Sequence, residues 1–211
     1  MERTLHDGVY LFPIKMTRHV DIGVTRGSAP LNIYGRFDKI RFLGYGSWLK
    51  KRMRMSHQPS NILCVCLGNI CRSPFAQGLF TKLVDQKGHK GVDAESAGLL
   101  ALPGNSATFF AQKVAAEYGV DLTGHKAKLV SEKLVTGSDL ILVMEKSHKD
   151  TLLTIFPMAT DKVFLIRHFA RFGSQNRGVA DPYGLNYDAY RFCFLDIEDA
   201  VLGLLEFLSI R

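Results

Sequence analysis

Asn61-Ile62-Leu63-Cys64-Val65-Cys66-Leu67-Gly68-Asn69-Ile70-Cys71-Arg72-Ser73-Pro74 decides how this chain is read. Its first five residues form a short apolar run rich in β formers, the pattern of a parallel strand buried on both faces. Ser73-Pro74 then opens a helix, with Ser at the cap and Pro in the first turn, where its missing N–H costs nothing. The loop between them suits a tetrahedral anion: inward-pointing N–H groups of Leu67, Gly68, Asn69, Ile70 and Cys71 surround it, and the following helix adds its positive end. The same features stabilise a thiolate at Cys66, and the thiolate is the nucleophilic form. Arg72 brings a planar fork of donors for two phosphoryl oxygens, which lysine cannot reproduce. The Ser73 hydroxyl can donate to the sulfur. Asn69 tolerates left-handed backbone and its amide can brace the loop from within. Cys66 therefore reads as a phosphoryl acceptor.

Working outward, the chain from Asn61 alternates short apolar runs with helical patterns, which argues for βαβ units and a parallel sheet. Strands are predicted at Val92 to Ser96, Leu140 to Met144 and Lys162 to Ile166. Helices are predicted over Pro74 to Gln86, Asn105 to Tyr118, Lys146 to Ile155 and about Tyr187 to Leu208, where Phe194, Ile197, Val201, Leu204 and Leu208 share one face. The expected fold is a single α/β domain over residues 61–211: a four-stranded parallel sheet flanked by helices, with the phosphate loop after strand 1. Ligands of such folds sit beyond the carboxyl ends of the strands, where Cys66 lies.

The chain has 211 residues, enough for one well-buried domain and extra segments. Its net charge of +7 is unevenly placed: residues 1–60 hold 11 Lys/Arg against 4 Asp/Glu, and the remainder balances. The basic character belongs to this N-terminal extension and is no argument for nucleic-acid binding. Residues 1–60 read as a flexible tail, with a mis-assigned start (Met53 or Met55 being the true one) as the alternative. A third reading is a weak contact of the basic segment, with Phe42, Tyr45 and Trp48, on an anionic membrane surface. No run approaches the length of a membrane span and no signal peptide is evident. Four cysteines, one of which must stay free to react, do not suggest a secreted disulfide framework, so a cytoplasmic location is expected.

Covalent hydrolysis of a phosphomonoester also needs an acid for the leaving oxygen. Asp181 is the candidate: Asp181-Pro182-Tyr183 follows the Gly/Ser/Asn-rich stretch from Gly173 to Gly178, and Pro182 favours an extended Asp181. In the second step the same carboxylate would deprotonate the water that cleaves the phosphocysteine. Leu99, Leu100, Leu102 and Tyr183 are candidate apolar walls for a phenyl phosphate, with ordinary core packing as the competing reading of the leucines.

Val65 to Pro74 resembles the signature of low-molecular-weight protein tyrosine phosphatases. The resemblance continues through Glu95-Ser96-Ala97-Gly98-Leu99, Gly124-His125, Asp139 to Leu142, Met144-Glu145-Lys146 and Asp181-Pro182-Tyr183. It is strongest to bacterial members that act beside exopolysaccharide or capsule tyrosine kinases. It implies a metal-independent, cofactor-free protein tyrosine phosphatase whose partner is a phosphotyrosine protein, a bacterial tyrosine autokinase or its substrates. It also implies that Asp181 is the acid, that Ser96 and His125 buttress Asn69, and that Cys71 is a redox partner forming a reversible disulfide with Cys66. Many family members have an aromatic residue where this chain has leucine, so tight aromatic stacking in the pocket is not implied.

Three other functions compete with this reading. Arsenate reductases need further cysteines in a mobile segment, and none lies between Ser73 and Phe192. A broad hydrolase of small phosphomonoesters differs only in pocket depth, which sequence does not give. An inactive phosphotyrosine-binding module would be expected to lose Cys66, Arg72 or Asp181. Zinc on Cys64, Cys66 and Cys71 is disfavoured, since Arg72 would lie beside the metal and no nearby histidine completes a site.

Overall fold

The computed structural model describes residues 58–210, so nearly all of the basic extension, with its expected tail and membrane contact, lies outside the described residues. Four strands form the sheet: β1 (Asn61–Cys66), β2 (Asp93–Gly98), β3 (Leu140–Val143) and β4 (Val163–Leu165). Five α-helices accompany them: α1 (Arg72–Gln86), α2 (Phe109–Glu117), α3 (Glu132–Gly137), α4 (Lys146–Ile155) and α5 (Tyr187–Phe207). Two 3₁₀ turns, Pro157–Lys162 and Ile166–Phe169, flank β4.

The sheet is wholly parallel in the order β2-β1-β3-β4. From β1 the chain crosses to one side to form β2, then returns past β1 to form β3 and β4. The order reverses between β1 and β3, and a crevice opens there beyond the carboxyl ends of the strands. The register of this central pair is locked at its far end by Asp139, whose Oδ2 accepts from Ser60 N (2.9 Å), Ser60 Oγ (2.9 Å) and Asn61 N (3.0 Å).

Side chains of a strand alternate between faces, and both faces of β1 are buried. Ile62, Cys64 and Cys66 join Leu140, Leu142 and Met144 on the side covered by α1, α2 and α5. Leu63 and Val65 join Ile141, Val143 and Val163 on the side covered by α3 and α4. The larger core is centred on Phe75 of α1, which stacks on Phe194 of α5 with centroids 3.8 Å apart. Truncating either ring would cost about 3–5 kcal/mol.

Two expectations are corrected. Ser73 does not cap its helix: α1 begins at Arg72 with Cys71 at the cap, because the Ser73 hydroxyl is engaged in the loop. The helix expected from Asn105 starts at Phe109, where Thr108 Oγ1 accepts from Ala111 N. Asn105 is held instead by a backbone bond from Ala127 N (2.8 Å). Helix α3, capped by Ser131, was not foreseen: six residues are too few to show a 3.6-residue period.

Candidate active site

The loop after β1 is shaped by where its carbonyls go. Cys66 O accepts from Leu99 N (3.0 Å), Leu67 O from Leu100 N (2.9 Å), Ile70 O from Thr108 N (2.9 Å) and Cys71 O from Phe75 N (3.3 Å). Asn69 O accepts from His125 Nε2 at 2.7 Å, which fixes the tautomer, since a carbonyl can only accept. No described peptide bond is cis. In a trans peptide the following N–H points opposite to the carbonyl, so outward carbonyls turn the amides of Leu67, Gly68, Ile70, Cys71 and Arg72 inward.

Gly98 at the end of β2 makes this path available. A Cβ there would lie 2.6 Å from Leu67 O and 2.8 Å from Asn69 N, closer than a side-chain carbon sits to backbone. The loop turns at Asn69, whose φ of 54° is left-handed. Its side chain compensates: Nδ2 donates to Ser73 Oγ (2.9 Å) and Ser96 Oγ (3.0 Å), and Oδ1 accepts from Lys128 N (2.9 Å). Ser96 is held in turn by donating to Gln77 Oε1 (2.7 Å). Ser96 and His125 thus both contact Asn69. Burial holds the His125 imidazole below its usual pKa, with the Asn69 carbonyl opposing and Lys128 assisting.

Asn69 N donates to Cys66 Sγ at 3.3 Å, and Ser73 Oγ lies 3.0 Å from the same sulfur. Because Ser73 Oγ accepts from Asn69, its hydrogen is free for the sulfur or for Ala97 O at 3.3 Å. Two donors are therefore positioned to stabilise a thiolate. Cys64, two residues earlier on the same face, lacks this surround; burial, with the charge of Cys66 adding, pushes it up to about 12.

Arg72 is only 2% exposed, yet its guanidinium reaches the cleft. Its Nη2 lies 2.6 Å from Asp181 Oδ2, and its Nη1 donates to Glu145 Oε1 and to Val179 O (3.1 Å). Burial alone would lower the Arg72 pKa; the Glu145 hydrogen bond and the charges of Asp181 and Cys66 outweigh it and raise it. Asp181 Oδ1 accepts from Tyr183 N at 3.2 Å, so both carboxylate oxygens are engaged.

The cleft is lined by Cys66, Leu67, Gly68, Ile70, Cys71, Arg72, Leu100, Asp181 and Tyr183. Leu99 is not among them. It is 8% exposed and packs with Val65, Ala97 and Val143, whereas Leu100, 71% exposed, stands at the rim. Leu99 and Leu100 are successive residues held to successive loop carbonyls, which leaves only one of them toward the cleft. Leu102 is exposed and outside the lining. The Cys71 thiol lies 3.4 Å from Thr108 Oγ1 and 3.6 Å from Tyr190 Oη, and burial raises its pKa against both hydrogen bonds. All four cysteines are free.

Glu145, the partner of Arg72, was not singled out from sequence as a site residue. Its signal was its position: a carboxylate just beyond the end of β3, beside the strand that leads into the loop. His148, one turn later, is buried with Nε2 3.7 Å from Glu145 Oε1, and burial and Arg72 lower its pKa against Glu145 and Asp181. Among the described residues there is no group of three or more His, Cys, Asp or Glu able to hold a metal ion.

A thiol and an arginine bracketing a cradle of amides, with a carboxylate facing them, define a cysteine-based phosphoryl-transfer site. Residues 61–210 match the low molecular weight phosphotyrosine protein phosphatases, and the chain belongs to that family. The probable low molecular weight protein-tyrosine-phosphatase AmsI of Erwinia amylovora is 38% identical over 147 residues, 70% of this chain and 90% of that one. Its crystal structure superposes with a TM-score of 0.65 at 36% identity, covering 72% of this chain and 95% of that one. The low molecular weight protein-tyrosine-phosphatase Wzb of Escherichia coli K12 is 39% identical over 139 residues (66% and 88% of the two chains). A protein-arginine-phosphatase of Geobacillus stearothermophilus is 33% identical over 151 residues (72% and 97%).

Proposed function

We propose that this enzyme hydrolyses protein phosphotyrosine through a phosphocysteine at Cys66. The observation that carries the reading is the surround of Cys66 Sγ by Asn69 N and Ser73 Oγ at the mouth of an amide-lined loop ending in Arg72. The Cys66 thiolate attacks phosphorus while Arg72 and the loop amides hold the equatorial oxygens. The bond from phosphorus to the tyrosine oxygen breaks, and that oxygen takes the proton of the Asp181 carboxyl. Water then attacks the phosphocysteine and gives its proton to the Asp181 carboxylate. Inorganic phosphate leaves and the thiolate is restored. The positive charge comes from Arg72 and amides, so the chemistry requires no metal.

Leu67, Ile70, Leu100 and Tyr183 give the cleft apolar walls, which suit a phenyl ring. A phosphoguanidine would need acceptors for its N–H groups, and of the lining side chains only Asp181 is a carboxylate. The substrate we infer is a bacterial tyrosine autokinase, or a protein it phosphorylates, in polysaccharide production. The setting is the cytoplasm, where four free cysteines stay reduced. No described helix is long and apolar enough to cross a membrane. Cys71 would serve as the redox partner: peroxide oxidises the Cys66 thiolate to a sulfenic acid, and the Cys71 thiol condenses with it to a disulfide, releasing water.

The test is turnover of phosphotyrosine, phosphoserine and phosphoarginine peptides by the wild type and Cys66→Ser, with chelator present. Cys66-dependent turnover of phosphotyrosine alone supports the proposal. Preference for phosphoarginine or equal use of phosphoserine would overturn the substrate, and retained turnover by Cys66→Ser would overturn the mechanism.

A further inference from the structure

Among the described residues, Arg72, His148 and Arg167 are the buried members of the Arg, Lys, His, Asp and Glu set, and Arg167 does not line the cleft. It lies in the 3₁₀ turn after β4 and is 2% exposed. A buried guanidinium is costly unless its donors are used. Those of Arg167 are spent on one segment of chain and one helix. Nε donates to Ser174 O (3.3 Å), Nη2 to Phe172 O (2.9 Å) and Nη1 to Asp196 Oδ1 of α5 (2.6 Å). Asp196 Oδ1 also accepts from Arg177 Nη2 at 2.5 Å, so both ends of the segment 172–177 return to the same carboxylate and its guanidinium. Phe172 N is tied to α5 as well, donating to Asp199 Oδ2 at 3.1 Å.

Two residues beyond Arg177 the chain reaches Val179, and two further Asp181. Val179 is fixed by its N–H to Met144 O (2.8 Å) and its carbonyl to Arg72. One anchor fixes a point; a second is needed to fix the direction in which the chain leaves it. Arg72 has a phosphoryl group to hold as well, whereas Arg167 meets no reacting atom, so its clamp is independent of the reaction.

We propose that Arg167 is a positioning residue for the acid: by clamping the carbonyls of Phe172 and Ser174 against Asp196, it sets the root of the segment that presents the Asp181 carboxylate to the cleft. This rests on the reading of Asp181 as the acid. Misplacing a catalytic group by about an ångström can cost on the order of a hundredfold.

The experiment compares kcat/KM for phenyl phosphate, a poor leaving group, with that for dinitrophenyl phosphate, an activated one. The variants are Asp181→Asn, Arg167→Met, Arg167→Lys and Arg177→Gln, each checked for folding by thermal unfolding. Asp181→Asn sets the scale, with a loss of roughly 10²–10⁴ on phenyl phosphate and little on the activated ester. Arg167→Met is expected to lose about tenfold more on phenyl phosphate than on dinitrophenyl phosphate. Arg167→Lys keeps the charge facing Asp196 without the fork for two carbonyls, and should follow the same pattern. Arg177→Gln leaves the buried core intact and should show a smaller shift of the same sign. Equal losses on both esters in folded Arg167 and Arg177 variants, or no loss, would overturn the proposal while leaving the acid intact. An Asp181→Asn enzyme without the selective loss would instead remove the acid reading beneath it.

Discussion

His125 Nε2 donates to the Asn69 carbonyl at 2.7 Å, so a neutral imidazole from a distant turn holds the one left-handed residue of the phosphate loop. The bond ties loop geometry to an ionisable group whose pKa burial lowers.

The His125 pKa lies below its ordinary 6.5 in the folded state, chiefly through burial, so between the two values the unfolded chain binds more protons. The stabilising contribution of neutral His125 is complete above the ordinary value and is lost as pH falls through that window. His148 is lowered too and acts in the same sense. His125→Gln can keep a donor to Asn69 O without titrating. The wild type should therefore lose more of its thermal midpoint than His125→Gln between about pH 8 and about pH 5. Parallel curves would contradict this.

Gly98→Ala places a methyl group against Leu67 O and Asn69 N, both backbone atoms that cannot rotate away. The expected cost is about 1–3 kcal/mol of stability. The loop amides should be displaced as well. Denaturant unfolding together with phosphate affinity would read both effects, and a variant with normal phosphate binding would show that the loop does not need this approach.

Glu145→Gln removes one of the two carboxylates on Arg72 but can keep a hydrogen bond to it. Less negative charge at the cleft should strengthen inorganic phosphate binding several-fold, by about 1 kcal/mol. A guanidinium less firmly oriented should at the same time lower kcat. Competitive inhibition by phosphate measured beside kcat would separate the two, and a weaker inhibitor constant would contradict the electrostatic account.

The fold was readable where the physics is local. Ile62 to Val65 alternate between two buried faces, and such a run followed by Gly68 and a Ser-Pro pair admits few arrangements. The contacts that turn the loop into a site were less visible, because they join residues far apart in the chain. Ser73 looked like a helix cap because capping is what Ser does at that distance from Pro74, but the loop makes a stronger demand on its hydroxyl. Leu99 and Leu100 have the same composition and neighbouring positions. Only the hydrogen bonds of their amides to Cys66 O and Leu67 O decide which faces the core. Glu145 needed the sheet order, which sets β3 beside β1, before its proximity to Arg72 had meaning.

Five carbonyls of the phosphate loop, those of Cys66, Leu67, Asn69, Ile70 and Cys71, are answered by partners outside it, and the resulting cradle is made almost wholly of main chain. Main-chain amides read the shape and charge of a tetrahedral or trigonal-bipyramidal oxyanion and carry no information about its central atom. Vanadate, tungstate and sulfate should therefore all occupy this enzyme's loop as competitive ligands. The choice of phosphorus over its mimics would then be kinetic, made by the sulfur of Cys66.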